Sequence, residues 1–307
     1  MEELITLKQK QEWREIYKQK RYLANLSIIS LKIRLEEILS NLLNFSKNGE
    51  PFFDQTIKMK GLIERYIHVD EEMNQREIYE SSIKNPGKYL NKYTNVENAI
   101  KAWDNRKLTE GKHLVKFGKK EHLCQMKENG NIRINPASFY NDSSLNKAVQ
   151  DDELSQTTML PKGTKIKRQN SNSEFEEIKG VQNLSMTNKY TTNFYVYCMS
   201  TIYQHRLFDD FNANACLLIY NEKIFLDKFL RILKNYYSEW QLKSENIKYY
   251  DPFFPKPPLD IPFNKHFRYW YQSEYRISFK PKNPADNLDY IDLEIGSLNN
   301  CSELILL

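Results

Sequence analysis

The run Tyr269-Trp270-Tyr271-Gln272-Ser273-Glu274-Tyr275-Arg276-Ile277-Ser278-Phe279 decides how this chain is read. It is short, rich in aromatic residues and bounded upstream by prolines, which predicts a strand. In an extended strand, side chains two residues apart point to one side, so Gln272 and Glu274 share a face and Ser273 and Tyr275 take the other. An amide and a carboxylate on one face suit sugar transfer. The carboxylate accepts a hydrogen bond from a ribose hydroxyl and stabilises positive charge as the anomeric bond breaks, while the amide orients the incoming nucleophile.

Working outward, Asp251–Pro262 holds Pro252, Pro255, Pro257, Pro258 and Pro262. Such a segment cannot be a regular helix or a central strand and reads as an extended lead-in. Other strand-like runs are His113–Phe117, Asn131–Ile134, Phe194–Ser200 and Ala215–Tyr220, with Tyr275–Phe279 the last. Two helix-like segments lie between them. Lys119–Asn129 stops at Gly130, and Asn221–Tyr237 carries Ile224, Phe225, Phe229, Ile232, Leu233 and Tyr236 as an apolar stripe. Pro161–Asn183 is polar, with Lys162, Lys165, Lys167 and Arg168 clustered, and reads as an exposed loop or hairpin, a basic lid over an anionic substrate being its functional use.

The first 110 residues have a different texture. Leu31, Leu35, Ile38, Leu39 and Leu42 recur at helical steps, and Leu62, Ile63, Tyr66 and Ile67 begin a second such face. Thr94 and Glu97 have capping-box spacing ahead of Ile100 and Trp103. Pro86-Gly87 marks a turn. Lys8–Arg21, with Trp13 and Tyr17, is either a solvated helix face or a partner contact. Asp104–Lys112, containing Gly111, suits a linker. The expected organisation is α+β, with a helical region over 1–110 and a sheet-bearing domain over 111–307.

Composition narrows the chemistry. The 307 residues carry 45 basic and 40 acidic side chains, a net charge of +5 that permits an anionic ligand without demanding one. With nine glycines and no Walker or Gly-x-Gly-x-x-Gly pattern, a phosphate cradle of bare backbone is not expected. Cys124, Cys198, Cys216 and Cys301 are too scattered for a disulfide framework or a zinc knuckle. The five histidines, His68, His113, His122, His205 and His266, lack metal-ligand spacing. No basic-then-apolar leader opens the chain and no apolar run reaches the about 20 residues of a membrane span, so a cytoplasmic location without membrane contact is expected.

Three short elements, in order, could carry chemistry: Val115-Lys116-Phe117-Gly118, then Tyr195-Val196-Tyr197-Cys198-Met199-Ser200-Thr201, then Tyr269–Arg276. A basic strand, a Ser-Thr strand and a Gln-x-Glu strand in that order resemble the Arg–Ser–Glu arrangement of ADP-ribosyltransferase toxins. Over roughly residues 112–300 the chain is also similar to bacterial proteins of the domain-of-unknown-function 2971 kind. The shared motifs are Lys116-Phe117, Arg133-Ile134, Phe139-Tyr140-Asn141-Asp142 and Tyr271-Gln272-Ser273-Glu274-Tyr275-Arg276.

The resemblance implies a split β-sheet catalytic domain that transfers ADP-ribose from NAD, as substrate, to a macromolecule. Nucleic acid is favoured over protein as acceptor, in a toxin or phage-defence effector restrained by an antitoxin or a chaperone. It makes Glu274 the catalytic carboxylate, with Gln272 orienting the acceptor and Ser200 and Thr201 bracing Glu274 and the ribose. Lys116, with Phe117 beside it, would contact the pyrophosphate or ribose, and one of Tyr195, Tyr197 or Tyr271 would stack on nicotinamide. Arg206 would hold a phosphate or pair with Asp209 or Asp210. Lys116 stands where the toxins carry arginine or histidine, and a lysine cannot form a bidentate fork; His113 is the other candidate for that position. Two alternatives stand beside the transferase: a non-enzymatic binding module in which Glu274 and Arg276 form a structural ion pair, and a magnesium-dependent nuclease using Asp142, Asp151, Asp152 and Glu153 near Asn141.

Overall fold

Three helices open the chain, α1 (Leu7–Lys20), α2 (Ile28–Leu42) and α3 (Lys60–Gln75). Thr6 starts α1 with a capping box: its hydroxyl accepts from the Gln9 amide at 3.2 Å, and the Gln9 side chain accepts from the Thr6 amide at 2.9 Å. Ser27 caps α2 by accepting from the Ser30 amide at 3.0 Å. The stripe Leu31, Leu35, Ile38, Leu39 and Leu42 is buried against Leu62, Ile63 and Ile67 of α3 and Trp13 and Tyr17 of α1. The lysine-rich first helix is thus anchored by its two aromatics and keeps its lysines outside. The computed structural model describes residues 3–78, 86–103, 106, 113–160, 165–171, 173–178, 184–255, 259–283 and 287–307. Apart from Arg106, the linker expected at Asp104–Lys112 lies outside them, as do Lys162, Pro257 and Pro258.

Eight strands build the main sheet: β1 (Leu114–Gly118), β2 (Asn131–Pro136), β3 (Tyr195–Ser200), β4 (Ala215–Ile219), β5 (Gln241–Asn246), β6 (Glu274–Lys280), β7 (Ile291–Glu294) and β8 (Ser302–Leu306). Their order is β5-β6-β3-β1-β4-β8, all antiparallel, with β2 joining β3 and β7 off this path. The protein is therefore of mixed α+β class. β5 is a polar edge strand without an apolar run, which is why the sequence alone does not reveal it; β8, the other edge, is short and is not among the expected strands although it carries Leu304-Ile305-Leu306.

One face of the sheet packs on α5 (Lys120–Asn129) and α7 (Glu222–Tyr236), burying Leu123, Met126, Phe225, Phe229 and Leu233 against Tyr197, Leu217 and Ile277. The other face packs on α4 (Val96–Trp103) and the short α6 (Leu207–Asp210) through Ala99, Leu207 and Phe208. α4 begins without the expected capping box. The Thr94 hydroxyl is spent on Asp209 at 3.3 Å, and the Asn95 side chain donates to the same carboxylate at 2.7 Å. Among the described residues no helix is long and apolar enough to cross a membrane.

Gly130 ends α5 at φ +75°, the left-handed cap expected of it. A Cβ there would lie 2.4 Å from the Gly296 carbonyl oxygen, so the close approach needs glycine as much as the dihedral does. Gly130→Ala is expected to cost about 1–3 kcal/mol, strain at a position evolved for positive φ, read as a shift in the denaturant midpoint.

The helical region is tied to the segment that precedes β6. The Asn41 amide group on α2 donates to the carbonyls of Phe267 and Arg268 at 3.0 and 3.3 Å, and its oxygen accepts from the Tyr271 amide at 2.8 Å. The Arg34 guanidinium holds the buried Asp251 carboxylate at 3.1 and 2.8 Å, and Arg65 joins it at 2.5 Å.

Candidate active site at the split in the sheet

Asn41 explains a departure from the expected strand. Phe267–Gln272 is a 3-10 helix, and the strand begins only at Glu274. His266 opens the turn by accepting from the Arg268 amide at 3.2 Å, and Ser273 closes it in the left-handed region at φ 43°, an uncommon place for a residue other than glycine. The aromatics that signalled a strand serve to bury the turn. Gln272 and Glu274 still face the same cavity, but a turn aims them there, not the alternation of one strand.

The two side chains are held differently. The Gln272 amide group donates to the Ala148 carbonyl at 2.7 Å, and its oxygen faces the Lys265 ammonium at 3.4 Å. Glu274 accepts from Lys265 at 3.0 Å on one oxygen and from Arg276 at 2.8 Å on the other. Arg276, fully buried, forks onto Glu153 at 2.7 and 2.8 Å and also reaches the Pro262 carbonyl at 2.9 Å. Two cations and two carboxylates thus neutralise one another out of water. Burial by itself would raise Glu274, but Arg276 and Lys265 outweigh it and hold the carboxyl down at about 2. Burial pushes the neighbouring Asp151 carboxyl up to about 6, with Glu153 adding to the rise.

Above this cluster the sheet opens. β3 pairs along its whole length with β6, but on its other edge it meets β1 at Val115–Ser200 and β2 at Val196–Asn135 and Tyr195–Pro136. Lys116 enters the gap between those pairings. Its ammonium nitrogen donates to the Cys198 carbonyl at 2.8 Å and lies 4.4 Å from the Tyr197 ring centre. A cavity of about 300 Å³ sits over the gap, with Lys116, Ser200, Gln272 and Glu274 in its wall. Phe117, Phe139, Tyr140 and Phe211 supply an aromatic side to it.

Other expected site residues lie elsewhere. Ser200 lines the cavity, but its hydroxyl donates to the backbone, with the Gln272 carbonyl at 2.8 Å, and braces the turn instead of Glu274. Thr201 does the same for the Ser273 carbonyl at 3.0 Å, and with His113 it lines a separate hollow. Tyr195 stacks on Phe279 and donates to the Asp289 carbonyl at 2.6 Å, and the Tyr197 hydroxyl meets the Met126 sulfur at 3.4 Å; both belong to the helix-covered face. Arg206, almost fully buried, pairs with Asp210 at 2.7 Å, lies 4.0 Å from the Tyr271 ring centre and bonds the Ser40 carbonyl. It and Tyr271 fasten α2 and α6 to the turn instead of lining the cavity.

Lys265 and the partnering of Glu153 with Arg276 carry no signal in the sequence. They reach the site from a proline-flanked segment and an acidic loop, with no spacing that announces them. In that loop, Asp142 and Asp152 are exposed caps of Ser144 and Ser155, while Asp151 meets Arg268 at 3.3 Å. Among the described residues no three His, Cys, Asp or Glu side chains gather as metal ligands would. No family model matches the chain, and no curated protein or solved structure is significantly similar to it.

Proposed function

We propose that the chain is a mono-ADP-ribosyltransferase that uses NAD as substrate and modifies a macromolecular acceptor, in the manner of a toxin or defence effector. The observation that carries this reading is convergence: Lys116, Ser200, Gln272 and Glu274, drawn from three distant stretches, share one cavity at a split in the sheet. A volume of about 300 Å³ is at the small end for a ligand pocket. It suits the nicotinamide–ribose end of NAD, with the rest of the dinucleotide running out through the mouth.

Glu274 keeps capacity for substrate. A carboxylate offers about four acceptor directions, and the two cations take one on each oxygen. A ribose hydroxyl can use another, and the permanent negative charge stabilises the cation that forms as nicotinamide leaves. The nicotinamide ring falls to the aromatic side of Phe117, Phe139, Tyr140 and Phe211, replacing the tyrosines expected from the sequence. Lys116 offers its remaining N–H groups to ribose or phosphate oxygens.

One observation favours a second reading. Both Glu274 oxygens and the Gln272 amide group are already engaged by protein, as they would be in the framework of a non-enzymatic binding module. Titration with NAD in a calorimeter, and incubation with labelled NAD beside separate RNA, DNA and protein fractions, decide between them. Saturable heat and label fixed to one fraction are expected; no heat and no label in any fraction would overturn the transferase.

A further inference from the structure

Cations lining or flanking this site have carboxylate partners, with one exception among the described residues. Lys265 has Glu274 at 3.0 Å and Arg276 has Glu153 at 2.7 Å. Lys116 has no carboxylate within ion-pair distance among the described residues; a backbone carbonyl and an aromatic ring are its recorded neighbours. Yet it is part of the cavity wall and partly exposed there. An ammonium in such a place lacks the counter-ion that would hold its proton.

We propose that Lys116 is a nucleophilic amine that captures the aldehyde or ketone group of a small, partly aromatic ligand as an imine. The amine lone pair attacks the carbonyl carbon, and the C=O electron pair moves to oxygen, which is protonated. The carbinolamine then expels that oxygen as water while nitrogen gives up its two protons in the course of the sequence. Amine and carbonyl give imine and water, with no further reactant. Three features support the assignment. Burial lowers the proton affinity of Lys116, an effect that the more distant Glu274 charge only partly offsets. One N–H is spent on the Cys198 carbonyl, so the lone pair is directed away from that oxygen. The side chains of Phe117, Phe139 and Phe211 in the same cavity offer a flat apolar surface to the carbonyl's substituent.

The test uses the full chain, benzaldehyde as probe and cyanoborohydride to fix any imine at neutral pH, with adducts mapped to single lysines by peptide mass spectrometry. Lys116 is expected to label at least about tenfold faster than exposed lysines such as Lys8 and Lys120, and Lys116→Arg to lose that adduct. Lys265, held protonated by Glu274 and Glu153, is an internal control and is expected to stay unlabelled. Labelling of the exposed lysines with Lys116 unmodified overturns the proposal. The wild-type adduct map decides even if the variant fails to fold. The reaction contains no NAD, so this result and the fate of the transferase reading are independent.

Discussion

Arg276→Met is expected to cost the fold about 3–5 kcal/mol, the usual penalty for leaving a buried charge without its partner. The guanidinium is completely buried and has four polar contacts: two on Glu153, one on Glu274 and one on the Pro262 carbonyl. Methionine fills a similar volume, so the loss would come from electrostatics and not from a cavity. Glu153 would be left with Lys265 at 3.6 Å, and Glu274 with Lys265 at 3.0 Å, one cation serving two buried carboxylates. The Pro262 carbonyl would lose its donor as well. Denaturant unfolding at neutral pH measures the effect. A Glu153→Met, Arg276→Met double variant should recover part of the loss, because an apolar pair strands fewer charges than a lone carboxylate. A single variant within about 1 kcal/mol of wild type would mean that water reaches the cluster and screens it.

The same cluster marks the limit of what the sequence made legible. Where burial follows a local rhythm, the pattern was clear: the α2 stripe, the Gly130 stop, the helix expected over Asn221–Tyr237 and the apolar runs of β3 and β4 all stand as expected. Where a tertiary contact overrides the rhythm, it was not. Phe267–Gln272 has the composition of a strand, but the Asn41 side chain and the left-handed Ser273 fold it into a turn. β5, with the polar sequence Gln241–Asn246, is a strand because β6 offers it a free edge, not because of its own propensity. Glu274 could be singled out by its spacing from Gln272. Its partners could not: Lys265 and Glu153 converge on it only after the proline-rich segment and the acidic loop have folded back. Arg206 shows the converse. A basic residue beside a hydroxyl-ended strand looks like a phosphate ligand, yet the nearest acid, one helical turn away, takes its charge inside the protein.

In Glu274→Gln, transfer of ADP-ribose is expected to fall by about 10²–10³-fold, the range for losing one preorganised group that stabilises charge in a transition state. The change nearly preserves shape and removes the negative charge that would face the forming ribosyl cation. It should also cost the fold some stability, though less than Arg276→Met, because the neutral amide keeps the shape of the side chain and strands no charge of its own. Arg276 keeps both of its bonds to Glu153, and Lys265 keeps Glu153 at 3.6 Å, so the two cations are left to share one carboxylate. With the fold still cooperative, the loss of rate should fall on kcat more than on KM, read beside a single, lowered unfolding transition in the same sample. The pH dependence gives a second check with a definite sign. The folded-state pKa of Glu274 is depressed to about 2 from an ordinary 4.5. Its contribution to stability is thus complete above the ordinary value and is lost as pH falls through about 2. For the same reason the carboxylate is charged throughout the pH range in which activity can be assayed, and it should give the rate profile no acid limb near 4.5. A limb there that disappears in Glu274→Gln would mean that the two cations do not hold the carboxylate ionised. Label transfer at the wild-type rate by the variant would reduce Glu274 to a member of a structural ion cluster, and the cavity would then belong to a binding module.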